Sequence, residues 1–350
     1  MNTPSPTSEF FKLPAPLYYL QNGQIWRLDP DIQTTRQITH ESAPVISFDL
    51  SSNSTLAYVS DNSLITCQAE GHDRQVLRAG PTLPFVNNEV GSLNNPDHIN
   101  NALYTPCWSP DGQKIAFIEN GLQIYNLETG QAEMVWQQLT TVSEPVLFDG
   151  VLSWSPNGRF LIVSQYQYPL EGEHQRWQSL LELGEYLYPN MSSRKGSTFA
   201  WNPDASDLFI AKALFGSDRS LLRCKPETAQ CRMIAEFEPA RRYFFYAHPF
   251  VNAEGRLLVF MGSSNEPVEP PVGFSLISLR PDGYERKKLR NDSYQIESAL
   301  WSPDGSGVLI VTARETDAAP KGQLLWLSVE DVPAVPLSLH EVTNLRWGID

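Results

Sequence analysis

Residues suited to grip a partner are concentrated in one short stretch, 236–246, which reads Glu-Phe-Glu-Pro-Ala-Arg-Arg-Tyr-Phe-Phe-Tyr. Arginines set beside a run of aromatics are the composition of interface anchors. A guanidinium presents a rigid planar fork of donors to a carboxylate and stacks on aromatic faces. A tyrosine supplies broad contact area with few torsions to freeze. Arg241, Arg242 and Tyr243 are therefore the leading candidate binding residues, and an acidic or glycan partner is the chemistry they suit. Phe244 and Phe245 also read as the start of a packed strand. Tyr166 and Tyr168, in another loop, are placed to extend the same surface.

Histidines are the second candidate set: His40, His72, His98, His174, His248 and His340. Only His248 falls on an expected strand facing the middle of the fold; His40, His98, His174 and His340 fall in loops on the same side as the arginines. Catalytic signatures are missing. There is no Gly-x-Ser-x-Gly, no phosphate-binding loop, and the pairs His40-Glu41 and His340-Glu341 lack a second histidine, with Pro44 and Asn344 in its place. The expectation is a binding surface without catalysis of its own and without a cofactor. Cys224 and Cys231 flank a turn and stand either as a cross-hairpin disulfide or as two thiols; Cys67 and Cys107 complete the four cysteines.

The elements that must position these residues are set by a repeat. Trp108-Ser109-Pro110-Asp111-Gly112 recurs as Trp154-Ser155-Pro156-Asn157-Gly158, Trp201-Asn202-Pro203-Asp204 and Trp301-Ser302-Pro303-Asp304-Gly305. Weaker copies end their first strands at Leu50 and Val251, and Trp347 closes the series. Each copy reads as a strand, a turn and a second strand: proline fixes φ, aspartate favours the turn, and glycine supplies positive φ. β-branched runs such as Val308-Leu309-Ile310-Val311 lead away. Such a period is the mark of a repeat architecture.

Counting strands gives seven four-stranded blades. The fourth has strands at 160–164, 177–183 and 185–188 after Trp154, and the sixth has strands at 257–260, 274–279 and 284–289 after Val251. The first blade lacks its inner strand, and 343–347 supplies it from the other end of the chain, which closes the ring and removes exposed sheet edges. The fold class expected is all-β, a seven-bladed β-propeller over residues 17–350, with 1–16 as a flexible tether.

The repeats resemble the TolB-type, or PD40, propeller repeat, a WD40-like form that here contains no Trp-Asp dipeptide. The resemblance covers nearly the whole chain and implies a propeller that binds other molecules. The histidines resemble those of oligogalacturonate lyases, seven-bladed propellers that hold a metal near the channel mouth. That implies the alternative function, a metal-dependent glycan lyase or hydrolase.

In a propeller the loops between second and third strands and between blades share one face, the top. The long connections at 79–101, 137–150, 165–175, 236–243, 262–273 and 313–322 all fall there, whereas the signature turns on the opposite face are tight. Binding usually lives on long loops of a rigid scaffold. The functional expectation is thus a protein, peptide or glycan ligand engaged by top-face residues Arg241, Arg242, Tyr243, Tyr166, Tyr168 and His248, or a scaffold role in a larger envelope complex. A net charge of −14 argues against nucleic acid as partner. No apolar run approaches the roughly 20 residues of a membrane helix. The Thr3-Pro4-Ser5-Pro6-Thr7-Ser8 stretch resembles the start of a mature lipoprotein whose leader has been replaced by Met1, so an extracytoplasmic site is expected, periplasmic or lipoprotein-anchored; a ragged cytoplasmic terminus is the other reading.

Overall fold

The signature stretch folds as a turn held by its own side chains. In the computed structural model Ser109 Oγ accepts from the Lys114 N–H (2.9 Å), and Asp111 Oδ1 accepts from the Gln113 N–H (3.0 Å). The Phe160 N–H donates to Ser155 Oγ (2.8 Å) and the Gly307 N–H to Ser302 Oγ (3.1 Å), so three copies share one design. Gly112, Gly158 and Gly305 take φ of 67°, 69° and 71°, where a side chain would be strained. Residues 11–81, 102–137, 146–167, 175–184, 187–194, 196–212, 220–234, 243–265, 271–313 and 322–348 are described.

Every turn of this kind joins the two innermost strands of a sheet, and seven four-stranded antiparallel sheets result. The first contains β1 (Leu17–Gln21), β2 (Gln24–Leu28) and β3 (Thr35–Gln37). The second contains β4 (Val45–Leu50), β5 (Thr55–Ser60), β6 (Ser63–Gln68) and β7 (Gln75–Ala79). The third contains β8 (Tyr104–Trp108), β9 (Lys114–Ile118), β10 (Gly121–Asn126) and β11 (Gln131–Gln137). The fourth contains β12 (Val146–Trp154), β13 (Phe160–Gln167), β14 (Gln175–Glu182) and β15 (Leu187–Arg194). The fifth contains β16 (Thr198–Trp201), β17 (Leu208–Ala211), β18 (Leu221–Lys225) and β19 (Gln230–Met233). The sixth contains β20 (Tyr243–Val251), β21 (Leu257–Ser264), β22 (Ser275–Leu279) and β23 (Lys287–Lys288). The seventh contains β24 (Ile296–Trp301), β25 (Gly307–Thr312), β26 (Leu324–Ser328) and β27 (Val335–Leu337). Last, β28 (Thr343–Trp347) returns to the first sheet and pairs with β1, Leu17 opposite Trp347. The protein is a seven-bladed β-propeller closed by its two ends.

Three strands depart from expectation, the first being β13, which runs to Gln167 rather than ending at 164 and so takes in Tyr166, expected in a loop. The outer strand of blade four runs over Leu187–Arg194 rather than 185–188, and that of blade six is cut to Lys287–Lys288 from the expected 284–289. The turn at Pro281–Gly283 and the irregular backbone beyond Leu289 take up the difference.

Blades pack face to face through apolar layers. Blades five and six share Phe209, Leu221, Ile234, Tyr246, Val259 and Ile277, while blades six and seven share Phe245, Phe260, Phe274, Val308 and Ile310. Alternation along β21 explains the split, since successive side chains point to opposite faces. The signature tryptophans stitch neighbours together. Trp154 Nε1 donates to the Cys107 carbonyl (3.0 Å), Trp201 Nε1 to Ser153 Oγ (3.2 Å) and Trp301 Nε1 to the His248 carbonyl (2.9 Å). In each case the acceptor lies on the inner strand of the preceding blade. Cys224 and Cys231 face each other across β18 and β19 and form a disulfide. Cys67 and Cys107 are buried free thiols.

Candidate functional site

The inner wall of the ring is built from β4, β8, β12, β16, β20, β24 and β28. It contains three left-handed non-glycine residues, Thr105 (φ 42°), His248 (φ 51°) and Asn344 (φ 53°). Each lies three residues before the last residue of its strand, Trp108, Val251 or Trp347, and each sits where pairing shifts register. These are bulges, which twist the strand and free a backbone N–H. At Thr105 and His248 that N–H is used between blades, and the Thr105 hydroxyl accepts from the blade after it. Thr105 N–H donates to Ser47 Oγ (3.2 Å), Val151 N–H to Thr105 Oγ1 (3.0 Å) and His248 N–H to Thr198 Oγ1 (2.7 Å). A left-handed conformation costs about 1 kcal/mol or more for such residues, and these contacts offset it.

His248 is thus fixed at three points. Its N–H and carbonyl are bonded to neighbouring blades, and its ring stands edge-on to Phe260 at 6.5 Å. Burial pulls its imidazole down from 6.5 to about 4, so the ring is neutral at physiological pH. The unfolded chain takes up the proton near 6.5 while the folded protein does not until about 4. Stability from this residue is therefore complete above the higher value and falls as pH drops through the window between them. As the side chain is half-buried, we expect a loss of about 2 kcal/mol between pH 7.5 and 4.5. The urea midpoint of His248→Asn, a residue that tolerates left-handed backbone, should fall by that much less over the same range; an unchanged pH dependence would show the ring to be freely protonated.

Among the described residues no other histidine joins it in a metal-binding group. His40 is exposed in the connection from blade one to blade two, with Nδ1 at 3.1 Å from Gln37 Nε2. His340 precedes β28 and accepts from Gln21 Nε2 through its carbonyl (2.9 Å). His98 and His174 lie outside the described residues, and among the described residues no three His, Cys, Asp or Glu side chains are grouped to hold a metal.

Tyr243 starts β20, at the end away from the signature turn, and is half-buried against the layer shared with blade seven. Arg241 and Arg242 lie immediately before it in sequence, outside the described residues, as does Tyr168. Tyr166 pairs with Leu147 and Arg176 at the corresponding far end of β13. Tyr166 and Tyr243 therefore mark the same face of the ring, on blades four and six, with blade five between them.

A cleft of about 450 Å³ opens beside β20, on the side of blade six that faces blade five. Met261 and Ile277 form its apolar floor, and Ser263, Ser275, Ser293, Arg286 and Lys288 supply polar walls. Its lip is Val272, which is 92% exposed and held out by Gln295 Nε2 donating to the Pro271 (2.5 Å) and Val272 (2.7 Å) carbonyls. Gly262 and Gly273 allow this closeness: a Cβ on Gly262 would lie 2.5 Å from Pro271 Cγ, and one on Gly273 would lie 2.9 Å from Ser293 Oγ. Arg286 is set by aromatics rather than by a carboxylate. Its guanidinium lies over the Phe244 ring (5.3 Å to the centroid) and donates to the Tyr246 hydroxyl (3.3 Å). The sequence reading did not find this site, although the run Arg286-Lys287-Lys288 in a strongly acidic chain was a signal for it.

A larger cleft, about 770 Å³, separates β11 of blade three from β14 of blade four and is lined by Ile124, Met134, Trp136, Leu181, Glu133 and Glu182. Gly184, in the outer turn of blade four, lines it, and a Cβ there would meet nothing within 4 Å, whereas a Cβ on Gly71 or Gly283, in the equivalent turns of blades two and six, would run into backbone of the preceding blade.

No family model and no curated protein sequence matches the chain. Solved structures do. TolB from Acinetobacter baumannii aligns over 93% of this chain and 78% of its own, at 16% identity and a TM-score of 0.45. An oligogalacturonate lyase in complex with manganese aligns over 92% of this chain and 84% of its own, at 13% identity and a TM-score of 0.53. Prolyl oligopeptidase B from Galerina marginata aligns over 91% of this chain but only 47% of its own length, at 10% identity and a TM-score of 0.54. Identities this low establish the fold, which binding proteins and enzymes share, and leave the activity to be argued from the site.

Proposed function

We propose that this chain is a non-catalytic binding propeller. It engages a protein, peptide or glycan through the face opposite the signature turns, centred where blade five hands over to blade six at Arg241, Arg242 and Tyr243. The observation that carries this reading is the position of β20: its first residue, Tyr243, lies at the strand end remote from the turn, next in sequence to Phe244, the ring over which the cleft's Arg286 stacks. The signature turns offer little to grip, because their polar side chains are spent on one another and on their own backbone. The Cys224–Cys231 disulfide supports an oxidising, extracytoplasmic setting. The Trp-Ser-Pro-Asp-Gly repeats support kinship with PD40-type propellers.

The test compares two double variants against a partner found by pull-down or glycan array. Arg241→Ala with Arg242→Ala should weaken binding by about 2 kcal/mol or more, the scale of an interface hot spot. Gln113→Ala with Ser306→Ala, on the opposite face, should leave it unchanged. Loss of binding in the second pair with retention in the first would place the partner on the wrong face for this reading.

A further inference from the structure

We propose that the cleft of blade six binds an extended acidic peptide segment, with carboxylates on alternate residues seated on Arg286 and Lys288. The inference rests on the reading that the top of blades five and six is a binding surface, and it names the partner chemistry there.

Four observations carry it. First, three described carboxylates close to the cleft residues in sequence are already engaged. Glu285 pairs with Arg256 and Arg280, Asp282 with Arg280, and Asp292 with the buried Arg290. Arg286 and Lys288 have no carboxylate partner among the described residues, in a protein of net charge −14. Second, Arg286 is immobilised without being neutralised. Stacking on Phe244 and one bond to Tyr246 fix the guanidinium plane and leave N–H groups for a ligand. Third, the hydroxyls of Ser263 and Ser293 line the same cleft and make no hydrogen bond among the described residues, so they are available to backbone groups or carboxylate oxygens. Fourth, Arg286 and Lys288 are two residues apart on one strand path and line one cleft, while Lys287 between them does not. Their repeat is about 6.7 Å, which is also the spacing of alternate side chains on an extended peptide. The apolar floor of Met261 and Ile277 and the volume of about 450 Å³ accommodate a few side chains between the charged contacts.

The experiment uses the full chain and a fluorescent peptide of alternating glutamate and threonine, followed by anisotropy. Binding should appear for this peptide and be absent for its glutamine counterpart. Arg286→Gln and Lys288→Gln should each raise Kd at least tenfold, and Lys287→Gln less than twofold, with thermal melts confirming that all three variants fold. Raising salt from 0.05 to 0.5 M should weaken binding in the parent protein. Equal binding of the glutamine peptide, or equal losses in all three variants, would overturn the inference. So would an acidic oligosaccharide, run in parallel, that binds through Arg286 and Lys288 when the peptide does not, or inorganic sulfate alone competing as well as the peptide. Arg241→Ala with Arg242→Ala separates the two readings. If only that pair matters to the captured partner, the top-face reading stands and the cleft does not; if neither pair matters, the face itself is misassigned.

Discussion

Deletion of residues 343–350 is expected to leave a chain without a cooperative unfolding transition. The segment removes the whole of β28, the inner strand of the first blade. Trp347 stands edge-on to Trp326 at 5.9 Å, and Leu345 packs in the same layer between blades one and seven. Truncating a fully buried tryptophan or leucine costs about 3–5 or 2–5 kcal/mol, and the partly buried Trp347 and Leu345 contribute a share of that. Two contacts to blade two are lost as well, Arg346 Nε to Asp49 Oδ1 (2.7 Å) and Asn344 Nδ2 to the Phe48 carbonyl (3.1 Å), together with the Gly348 N–H that closes on the Pro16 carbonyl (2.7 Å) within the first blade. Part-buried hydrogen bonds of this kind are worth about 1 kcal/mol each. The sum is of the order of the 5–15 kcal/mol that holds an ordinary domain folded. Asp49 also accepts from the Trp108 N–H (2.8 Å), so the damage reaches blade three. A bare β1 edge would in addition invite pairing with other chains. Calorimetry and light scattering read both effects; a truncated protein that melts at the parent temperature as a monomer would contradict closure by β28.

Gly283→Ala should be the most damaging glycine-to-alanine change among the glycines whose surroundings are described. Gly283 has φ of 95° in the outer turn of blade six, and a Cβ there would overlap the Ile234 carbonyl at the end of blade five's outer strand. The backbone conformation alone costs about 1–2 kcal/mol for alanine, and forced displacement of packed backbone adds about 1–3 kcal/mol. The equivalent Gly184 of blade four has φ of 87° and nothing within 4 Å of a Cβ. Gly184→Ala should therefore show only the conformational share, about 1–2 kcal/mol. Urea denaturation of the two variants separates dihedral strain from blade contact; equal losses would mean that the contact between blades five and six carries no energy.

The comparison of these two glycines shows where sequence reading runs out. Both stand after a predicted third strand, and nothing local distinguishes the one pressed on a neighbouring blade from the one facing an open cleft. The propeller itself was legible because its information is local and repeated: a proline, an aspartate and a glycine at fixed offsets from a tryptophan make the same turn wherever they occur. Closure by Trp347 was legible for the same reason, and so was the facing of Cys224 and Cys231 across a hairpin. The bulges at Thr105, His248 and Asn344 were not, since the extra residue at Thr105 and at His248 is fixed by a hydrogen bond to the preceding blade, about fifty positions back. The cleft of blade six was hidden by the same distance. Phe244, Ser263, Gly273, Arg286 and Ser293 meet only after four segments have folded, and shortening of β23 to two residues lets Arg286 turn toward Phe244.

Hydrogen–deuterium exchange on the protein with a partner recovered by pull-down tests the binding face most directly. Backbone amides at 243–246, 261–264, 271–275 and 286–288 should slow on complex formation, while the signature turns at 109–114, 155–160 and 302–307 exchange as in the free protein. Protection confined to those signature turns, with 243–246 and 286–288 unchanged, would contradict the account.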